Sequence, residues 1–367
     1  MDFSLSEEQE TTRSLARQIL SDLVTPDRHK ELEADGQWFD RKAWSALADA
    51  GLLGIAAPEA HGGSGLGFLE VALVLEEVGR TVAKVPYLAS VAMGILPIAH
   101  FGDDALQRAW LPRLVAGEAV ATTALVEDSA AAQSPATTAR KKGSNWVLDG
   151  IKTCVPAGLD AAVVLVPALT GNRKVGVFVV ETDSAGVEVE RQDTTTGIPE
   201  ASVVLAGANA TLLGDTASGA AIVDWITLRA TAALAATAVG VCEAALRMTA
   251  DYTKTREQFG RPIATFQAVG QRAADAYIDT EAVRLTALQA AWRISADLPA
   301  DAEVAIAKFW AADGGQRVVH AAQHLHGGMG VDRDYPVHRY FLWAKHLELS
   351  LGGATQQLLR LGDILAG

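Results

Sequence analysis

Two short segments in the C-terminal half combine residue types that suit the binding of a phosphate-bearing ligand. They are Arg-Glu-Gln-Phe-Gly-Arg-Pro-Ile at 256–263 and His-Leu-His-Gly-Gly-Met-Gly at 324–330. An arginine guanidinium is a planar donor that pairs with phosphate oxygens. Adjacent glycines let a backbone approach a ligand closely, because they lack a Cβ atom. Taken alone, the first segment is equally typical of a charged turn between two helices.

A zinc site is the alternative chemistry that the histidines suggest. His320 and His324 are one helical turn apart, a spacing that can place two imidazoles on one metal ion. No nearby cysteine or suitably spaced carboxylate completes a ligand set, so we predict no metal site. The two cysteines, Cys154 and Cys242, are far apart in sequence. They indicate neither a thiolate metal site nor a disulfide framework, which fits a reducing cytoplasm.

The composition argues against several other classes of protein. The chain has 367 residues, a 49% apolar fraction and a formal net charge of -13, from 31 basic and 44 acidic residues. This charge would repel a nucleic-acid backbone, and no basic stripe offsets it. No uninterrupted apolar run reaches the ~18 residues of a membrane span. Residues 1–8 are acidic and lack the basic start of an export signal. We therefore expect a cytoplasmic protein that binds neither nucleic acid nor membrane.

The hydrophobic pattern changes twice along the chain and predicts three domains, 1–117, 118–215 and 216–367. The first and last have apolar residues at helical spacing, whereas the middle one has alternating or β-branched runs between turn residues. The expected fold class is α+β. Candidate strands are 121–126, 146–148, 161–166, 175–180, 187–191 and 202–205. Candidate C-terminal helices are 217–252, 266–296, 302–325 and 337–365, as in an up-down bundle.

Together with Leu-Gly-Gly-Ala-Thr at 351–355, the segments 256–263 and 324–330 make the chain resemble the acyl-CoA dehydrogenases, flavoproteins that desaturate acyl-CoA thioesters. The resemblance implies an N-terminal helical domain, a middle β-barrel-like domain and a C-terminal four-helix bundle. It also implies that certain residues reach across a dimer interface to the pyrophosphate and adenosine half of a neighbouring subunit's FAD. These residues are Arg256, Gln258, Phe259, Phe266, Gln267, His324, Leu325, Gly327 and Gly328.

The base that this family needs is missing from both of its usual positions. The α-hydrogen of a thioester is a very weak acid, so a carboxylate must lie within hydrogen-bond reach of that carbon. Most members use the Glu of a Glu-Gly-Thr turn, where residues 351–353 here are Leu, Gly and Gly. Others carry it just before an arginine that resembles Arg229, and here that residue is Leu228. We therefore predict no catalytic residue in this chain. The acids considered as substitutes are Glu243, Glu281 and Glu348.

Two further segments depart from the family where the resemblance implies contact with the flavin ring. Residues 126–135 lack the Gly-Ser-Asp element of the family's flavin-binding loop. After Lys152 the family has an aromatic residue and a hydroxyl, whereas this chain has Cys154, Val155 and Pro156. Pro156 has no backbone N–H to donate. The flavin-ring site of this chain is therefore expected to be lost.

These losses and retentions are expected for one half of a heteromer. The chain resembles the base-less subunit of actinobacterial α2β2 acyl-CoA dehydrogenases that act on CoA thioesters of steroid side chains, most specifically at 326–332, 335–341 and 351–355. The resemblance implies a partner subunit that carries the Glu and most of the acyl-CoA pocket, an FAD shared with that partner, and an electron-transfer acceptor. Three alternatives stay open: a self-sufficient homo-oligomeric dehydrogenase with an atypical base, a different flavin reaction, and a non-catalytic binding protein.

Overall fold

The structure is a computed structural model that describes residues 3–143, 145–171 and 174–366. The helices are α1 (Glu7–Leu23), α2 (Pro26–Ala34), α3 (Arg41–Asp49), α4 (Phe68–Thr81), α5 (Leu96–Phe101), α6 (Asp104–Val115), α7 (Gly219–Thr255), α8 (Gln267–Ser295), α9 (Asp301–His326), α10 (Val337–Leu349) and α11 (Ala354–Ala366). The strands are β1 (Val120–Thr123), β2 (Thr138–Lys142), β3 (Asn145–Pro156), β4 (Ala161–Thr170), β5 (Val175–Glu181), β6 (Val187–Gln192), β7 (Glu200–Leu213), β8 (Glu257–Gln258) and β9 (Arg261–Pro262). A π-helical segment, Leu88–Ile95, leads into α5.

The chain forms two compact units, each assembled from segments that are distant in sequence. The helical unit contains residues 3–35, 68–83 and 231–366, and the mixed unit contains 36–67 and 84–230. The predicted α+β class, with helical ends around a middle sheet, is confirmed. The domain boundaries predicted after residues 117 and 215 stay predictions.

Five strands of the mixed unit close into a barrel. β4 pairs with β2, β2 with β3, β3 with β7 and β7 with β5, and β5 pairs back with β4. β1 and β6 add to the outside of this ring, on β4 and β7. Buried Val164, Phe178 and Val203 belong to one apolar core. Strand β2 pairs with residues 145–149 of β3. After Lys152, the backbone is held by β7 at Val155 and Pro156 and by a bridge between Thr153 and Val126.

The helical unit begins with the capped helix that residues 6–10 suggest. The Ser6 side chain accepts a hydrogen bond from the Gln9 N–H at 3.2 Å, and the Gln9 side chain accepts one from the Ser6 N–H at 3.0 Å. This reciprocal pair satisfies two backbone donors that have no partner within the helix. Helix α7 is long and apolar enough to span a membrane, but 78% of its most apolar window is buried inside the protein, as in a core helix.

Several elements differ from their predictions. The predicted helix 337–365 is two helices, because the backbone at Leu351 (φ +53°) and Gly352 (φ +98°) is left-handed and ends the helical path. The predicted strands 146–148 and 202–205 are parts of the longer β3 and β7, and 146–148 lies near the start of β3. Strand β2 was not predicted, because Arg140, Lys141 and Lys142 lack an apolar alternation, and its pairing with β3 holds it in the sheet.

Candidate functional site

The segment 256–263 folds into a short hairpin that points its side chains outward. Strands β8 and β9 are joined by Phe259 (φ +54°) and Gly260 (φ +73°), a two-residue turn in which both residues are left-handed. Glycine adopts this conformation easily, whereas phenylalanine does not. Phe259 is nevertheless 93% exposed, so packing within the chain does not explain its place. An exposed aromatic ring on a strained turn is typical of a residue that contacts another molecule.

The cationic groups of the hairpin are open to a ligand. Arg256 and Gln258 are exposed, and no acid in the described part of the chain pairs with the Arg256 guanidinium. The Arg261 guanidinium lies 4.3 Å from the centroid of the Phe266 ring, just before Gln267 opens α8. The hairpin and the start of α8 are therefore close together. An unpaired arginine fits the phosphate of a dinucleotide.

The segment 324–330 ends α9 in a glycine turn with an open backbone. A Cβ atom built on Gly327 or Gly328 would meet no atom within 4 Å, whereas one on Gly330 would lie 2.3 Å from the Gln323 carbonyl oxygen. Gly330 is thus required for packing, and the first two glycines are not. His324 is exposed and Leu325 half-buried on the last turn of α9. Residues 327–328 fit the close approach of a dinucleotide backbone.

The turn that would carry the family's base is built without an acid. The buried Lys308 Nζ donates hydrogen bonds to the carbonyl oxygens of Leu347, Glu348 and Gly352 at 2.8, 2.9 and 3.0 Å. Burial lowers the pKa of Lys308 to about 8. A side chain at Gly352 would be strained at φ +98° and would meet the Gln356 side chain at 3.0 Å. Lys308 was not among the site residues predicted from the sequence, in which it is marked only by its position within an apolar stretch of α9.

The three substitute acids are all held in ion pairs. Glu243 lies 2.5 Å from Arg80, Glu281 lies 2.6 Å from Arg284, and Glu348 lies 2.6 Å from Lys345. The hydrogen bond from Arg284 lowers the pKa of Glu281. A carboxylate stabilised by a cation is a poor acceptor for the proton of a weak carbon acid. In the folded chain, each of the three acids is therefore bound to a cation of its own subunit.

A buried charge cluster of the helical unit has no counterpart in the sequence-based predictions. Arg80 pairs with Glu76 at 2.6 Å, with Glu77 at 3.0 Å and with Glu243, and Glu77 also pairs with Arg17 at 2.7 Å. Burial and the charge of Glu243 raise the pKa of Glu76 to about 7. The cluster borders a cleft of about 440 Å³ among α1, α4, α7 and α8. Its partners come from three helices, so no single segment reveals it.

In the mixed unit, the loop expected to meet a flavin ring is folded onto itself. The Glu127 carboxylate accepts hydrogen bonds from the Ala136 N–H at 2.6 Å and from the Thr137 hydroxyl at 2.7 Å. It also forms an ion pair of 2.6 Å with the fully buried Lys152. Burial raises the pKa of Glu127, but the hydrogen bonds from Lys152 and Thr137 outweigh it and the pKa is lowered. Glu127 therefore closes the loop as an ionised group.

The strand that follows Lys152 is equally closed. The Gln192 side chain accepts a hydrogen bond from the Cys154 N–H at 2.8 Å and donates one to the Thr153 hydroxyl at 2.9 Å. The Thr153 N–H donates to the Val126 carbonyl oxygen at 3.0 Å. Pro156 has no N–H. The N–H groups of Thr153 and Cys154 are thus used within the chain and Pro156 has none, so these three positions offer no free backbone donor to a flavin ring.

Arg229 and His320 each contact an aromatic side chain. The Arg229 guanidinium lies over the Trp225 ring, 3.6 Å from its centroid. The His320 ring meets Phe341 edge-on at 4.9 Å. No group of three or more histidine, cysteine, aspartate or glutamate side chains suited to a metal ion occurs among the residues that the structure describes. Arg229 thus contacts an aromatic neighbour on its own helix.

The whole chain matches the acyl-CoA dehydrogenases. Residues 6–118, 120–205 and 218–364 match the N-terminal, middle and C-terminal domains of that family, so the chain belongs to it and has its fold. These proteins are flavoprotein oxidoreductases.

Individual relatives are similar over their full length. The chain is 43% identical to acyl-CoA dehydrogenase FadE27 of Mycobacterium tuberculosis, covering 100% of this chain and 99% of that protein. It superposes with a TM-score of 0.94 and 44% identity on a chain of the ChsE4–ChsE5 complex from the same organism, covering 100% and 99% of the two chains. It superposes with a TM-score of 0.92 and 43% identity on a chain of the Tcur3481–Tcur3483 steroid ACAD, with 99% of each chain covered.

Proposed function

We propose that this chain is the supporting subunit of a heteromeric, FAD-dependent acyl-CoA dehydrogenase. It carries no base of its own and lends Arg256, Gln258 and the 327–328 turn to the nucleotide half of an FAD bound mainly by a partner. The observation that carries this is the contrast within the chain. The Arg256 guanidinium has no acidic partner among the described residues and the 327–328 turn is open, whereas the segments expected at the flavin ring and the α-carbon are closed or lack an acid.

The proposal divides the reaction between two polypeptides. FAD, when bound, accepts the β-hydrogen of the acyl-CoA as hydride. The partner supplies the Glu that removes the α-proton and most of the acyl-CoA pocket, and an electron-transfer protein reoxidises the cofactor. In this chain, the Arg256 guanidinium balances pyrophosphate charge, and the Gly327–Gly328 backbone permits close approach of the dinucleotide.

Apolar side chains on the outer faces of two helices support a partner subunit. On α8, Ile278, Leu285 and Trp292 recur every seven residues and are exposed, opposite the face that packs in the core. On α11, Leu359 and Leu365 are 66% and 76% exposed. Solvent-facing rows of large apolar residues usually mark contacts between chains. We propose an α2β2 assembly in the cytoplasm.

The similar proteins support a proposal for the substrate. One solved relative is described as a steroid ACAD, and its name joins two gene products, as does that of the ChsE4–ChsE5 complex. We propose that the complex converts a bulky acyl-CoA, from the side chain of cholesterol or a related steroid, to the 2,3-enoyl-CoA.

The test is to count flavins with and without a partner. The chain is purified alone and also coexpressed with an acyl-CoA dehydrogenase subunit that has a Glu-Gly-Thr turn and is encoded beside it. We expect little FAD and no turnover from the single chain, and one FAD per pair of subunits with steroid-CoA desaturation from the complex. A single chain that is loaded with flavin and active would contradict the proposal, and so would a complex without flavin.

A further inference from the structure

Three aromatic side chains connect the hairpin 256–263 with the glycine turn 327–330. Tyr252 lies on the last turn but one of α7, and its carbonyl oxygen accepts a hydrogen bond from the Arg256 N–H at 2.8 Å. His326 is the last residue of α9, immediately before Gly327. Tyr335 follows the turn and precedes α10. The three rings form one contact group within the helical unit, which we name the Tyr-His-Tyr cluster.

The His326 ring is the centre of this cluster. Its centroid lies 4.5 Å from that of Tyr252, with the planes nearly parallel at 26°, and 5.1 Å from that of Tyr335. The two tyrosine rings are 6.1 Å apart in an edge-on arrangement. His326 is only 2% exposed, so the contact is part of the packed interior. The helix ends that carry the two FAD-facing elements therefore share one buried aromatic contact.

The hydrogen bonding of His326 fixes how its ring is turned. Nδ1 lies 2.7 Å from the Ala322 carbonyl oxygen, which can only accept, so Nδ1 carries the proton. Burial lowers the pKa of His326, so the ring is neutral near neutral pH. Nε2 is then an acceptor, and it has no hydrogen-bond partner among the described residues. A buried acceptor without a hydrogen-bond partner lowers stability. If this side chain served packing alone, a ring without that acceptor would be sufficient.

We infer that His326 is a positioning residue for the shared FAD: it sets the hairpin that carries Arg256 and the Gly327–Gly328 turn at the spacing that one dinucleotide needs. This inference rests on the proposed function. His326 itself is 2% exposed, so it acts through its neighbours. Its ring stacks on Tyr252, whose carbonyl oxygen accepts the Arg256 N–H, and its Nδ1–H anchors the ring to α9. The next residue in the chain is Gly327, which opens the glycine turn.

The inference is tested with His326→Phe, which keeps an aromatic ring but removes both nitrogens. His320→Phe is the matched control, because His320 is also on α9 and also contacts an aromatic ring, but lies away from the turn. Both variants are coexpressed with the Glu-bearing partner. FAD affinity is measured by titrating FAD into the flavin-stripped complex, and subunit affinity and the unfolding midpoint of the single chain are measured in parallel.

We expect His326→Phe to weaken FAD binding about tenfold, with subunit affinity equal to that of the control and with full turnover regained at saturating FAD. Tyr335→Leu, which opens the cluster without changing α9, should have the same effect if His326→Phe folds poorly. FAD affinity equal to the control in both variants would overturn the inference and leave the proposed function intact. A wild-type complex that takes up no FAD would overturn the proposed function itself.

Discussion

The hairpin 256–263 and the segment 126–156 use their polar groups in opposite ways. In the hairpin, Arg256 and Gln258 are exposed, and Phe259 is 93% exposed on a strained turn, where its ring meets only the edge-on ring of Phe266 among the ring contacts of the described residues. In the segment 126–156, Glu127 accepts hydrogen bonds from its own loop and pairs with buried Lys152. The Arg256 guanidinium is thus left for another molecule, whereas the Glu127 carboxylate is used within the chain.

Taken together, the two regions argue against both a decayed enzyme and a complete one. A decayed enzyme would be expected to lose its cofactor contacts everywhere, because nothing would maintain an exposed phenylalanine or an open glycine turn. A complete enzyme would be expected to leave donors free at the flavin ring. The coexistence of an open region and a closed one agrees with the proposed function, in which the chain lends the open region to an FAD bound mainly by another polypeptide and holds no flavin ring in the closed region.

The largest effect is expected in the closed region, on stability. Lys152→Met leaves the Glu127 carboxylate buried without its cation, and removing one member of a buried ion pair costs roughly 3–5 kcal/mol. Urea unfolding of the single chain measures this loss. Lys142→Met, at an exposed position on β2, is the control and should change the free energy of unfolding by less than about 0.5 kcal/mol. A loss no greater than that of the control would show that the loop is not closed by this pair.

In the open region the effect should fall on the cofactor and not on the fold. Arg256→Ala removes a charged hydrogen bond to phosphate, of roughly 1.5–3 kcal/mol, so FAD affinity of the complex should fall about 10- to 100-fold. Unfolding of the single chain should be unchanged. Arg272→Ala, an exposed arginine on α8, is the control and should affect neither measurement. An equal effect of both variants would mean that general charge, and not a specific contact, attracts the FAD.

Two glycines of one turn should separate folding from binding. Gly330→Ala places a Cβ 2.3 Å from the Gln323 carbonyl oxygen, so overpacking should lower the free energy of unfolding by roughly 1–3 kcal/mol. Gly328→Ala meets no atom within 4 Å, so the chain should fold normally while FAD affinity falls several-fold. Thermal unfolding and FAD titration of both variants measure this. Unchanged FAD affinity in Gly328→Ala would show that this glycine does not lie against the FAD.

The smallest expected effect is a pH dependence of stability. It comes from Glu76, which belongs to the buried charge cluster around Arg80. The pKa of Glu76 is raised to about 7 in the folded state, so the folded chain binds this proton more tightly than the unfolded chain. Its contribution to stability is therefore complete below the unfolded pKa near 4.5 and is lost as the pH rises through 7. Glu76→Gln should flatten this part of the profile of unfolding midpoint against pH. Glu31→Gln, at an exposed position, should leave the profile unchanged.

Much of the fold was predictable from the periodicity of apolar residues. The helical spacing of 266–296 and 302–325 predicted α8 and α9 to within a residue or two, because amphipathic helices carry their packing face in the sequence. Strand β2 was not predictable, because its charged residues are held in place by hydrogen bonds to β3 and not by their own preference. The break at 350–353 was likewise missed, since it depends on left-handed backbone at Leu351.

The amino-acid sequence alone shows that no acid stands at 351–353 or at position 228, the two places where the family resemblance implies a base. It also determined the family, through short segments whose residue types suit a dinucleotide. Only the tertiary structure decided which groups are free. Lys308 bonds the carbonyl oxygens around residue 352, Glu127 bonds its own loop, and His326 stacks between two tyrosines. These partners are either remote in sequence or brought close by the course of the backbone. A hydrogen bond or a stacked ring exists only when folding brings its two halves together, so its presence cannot be read from either half.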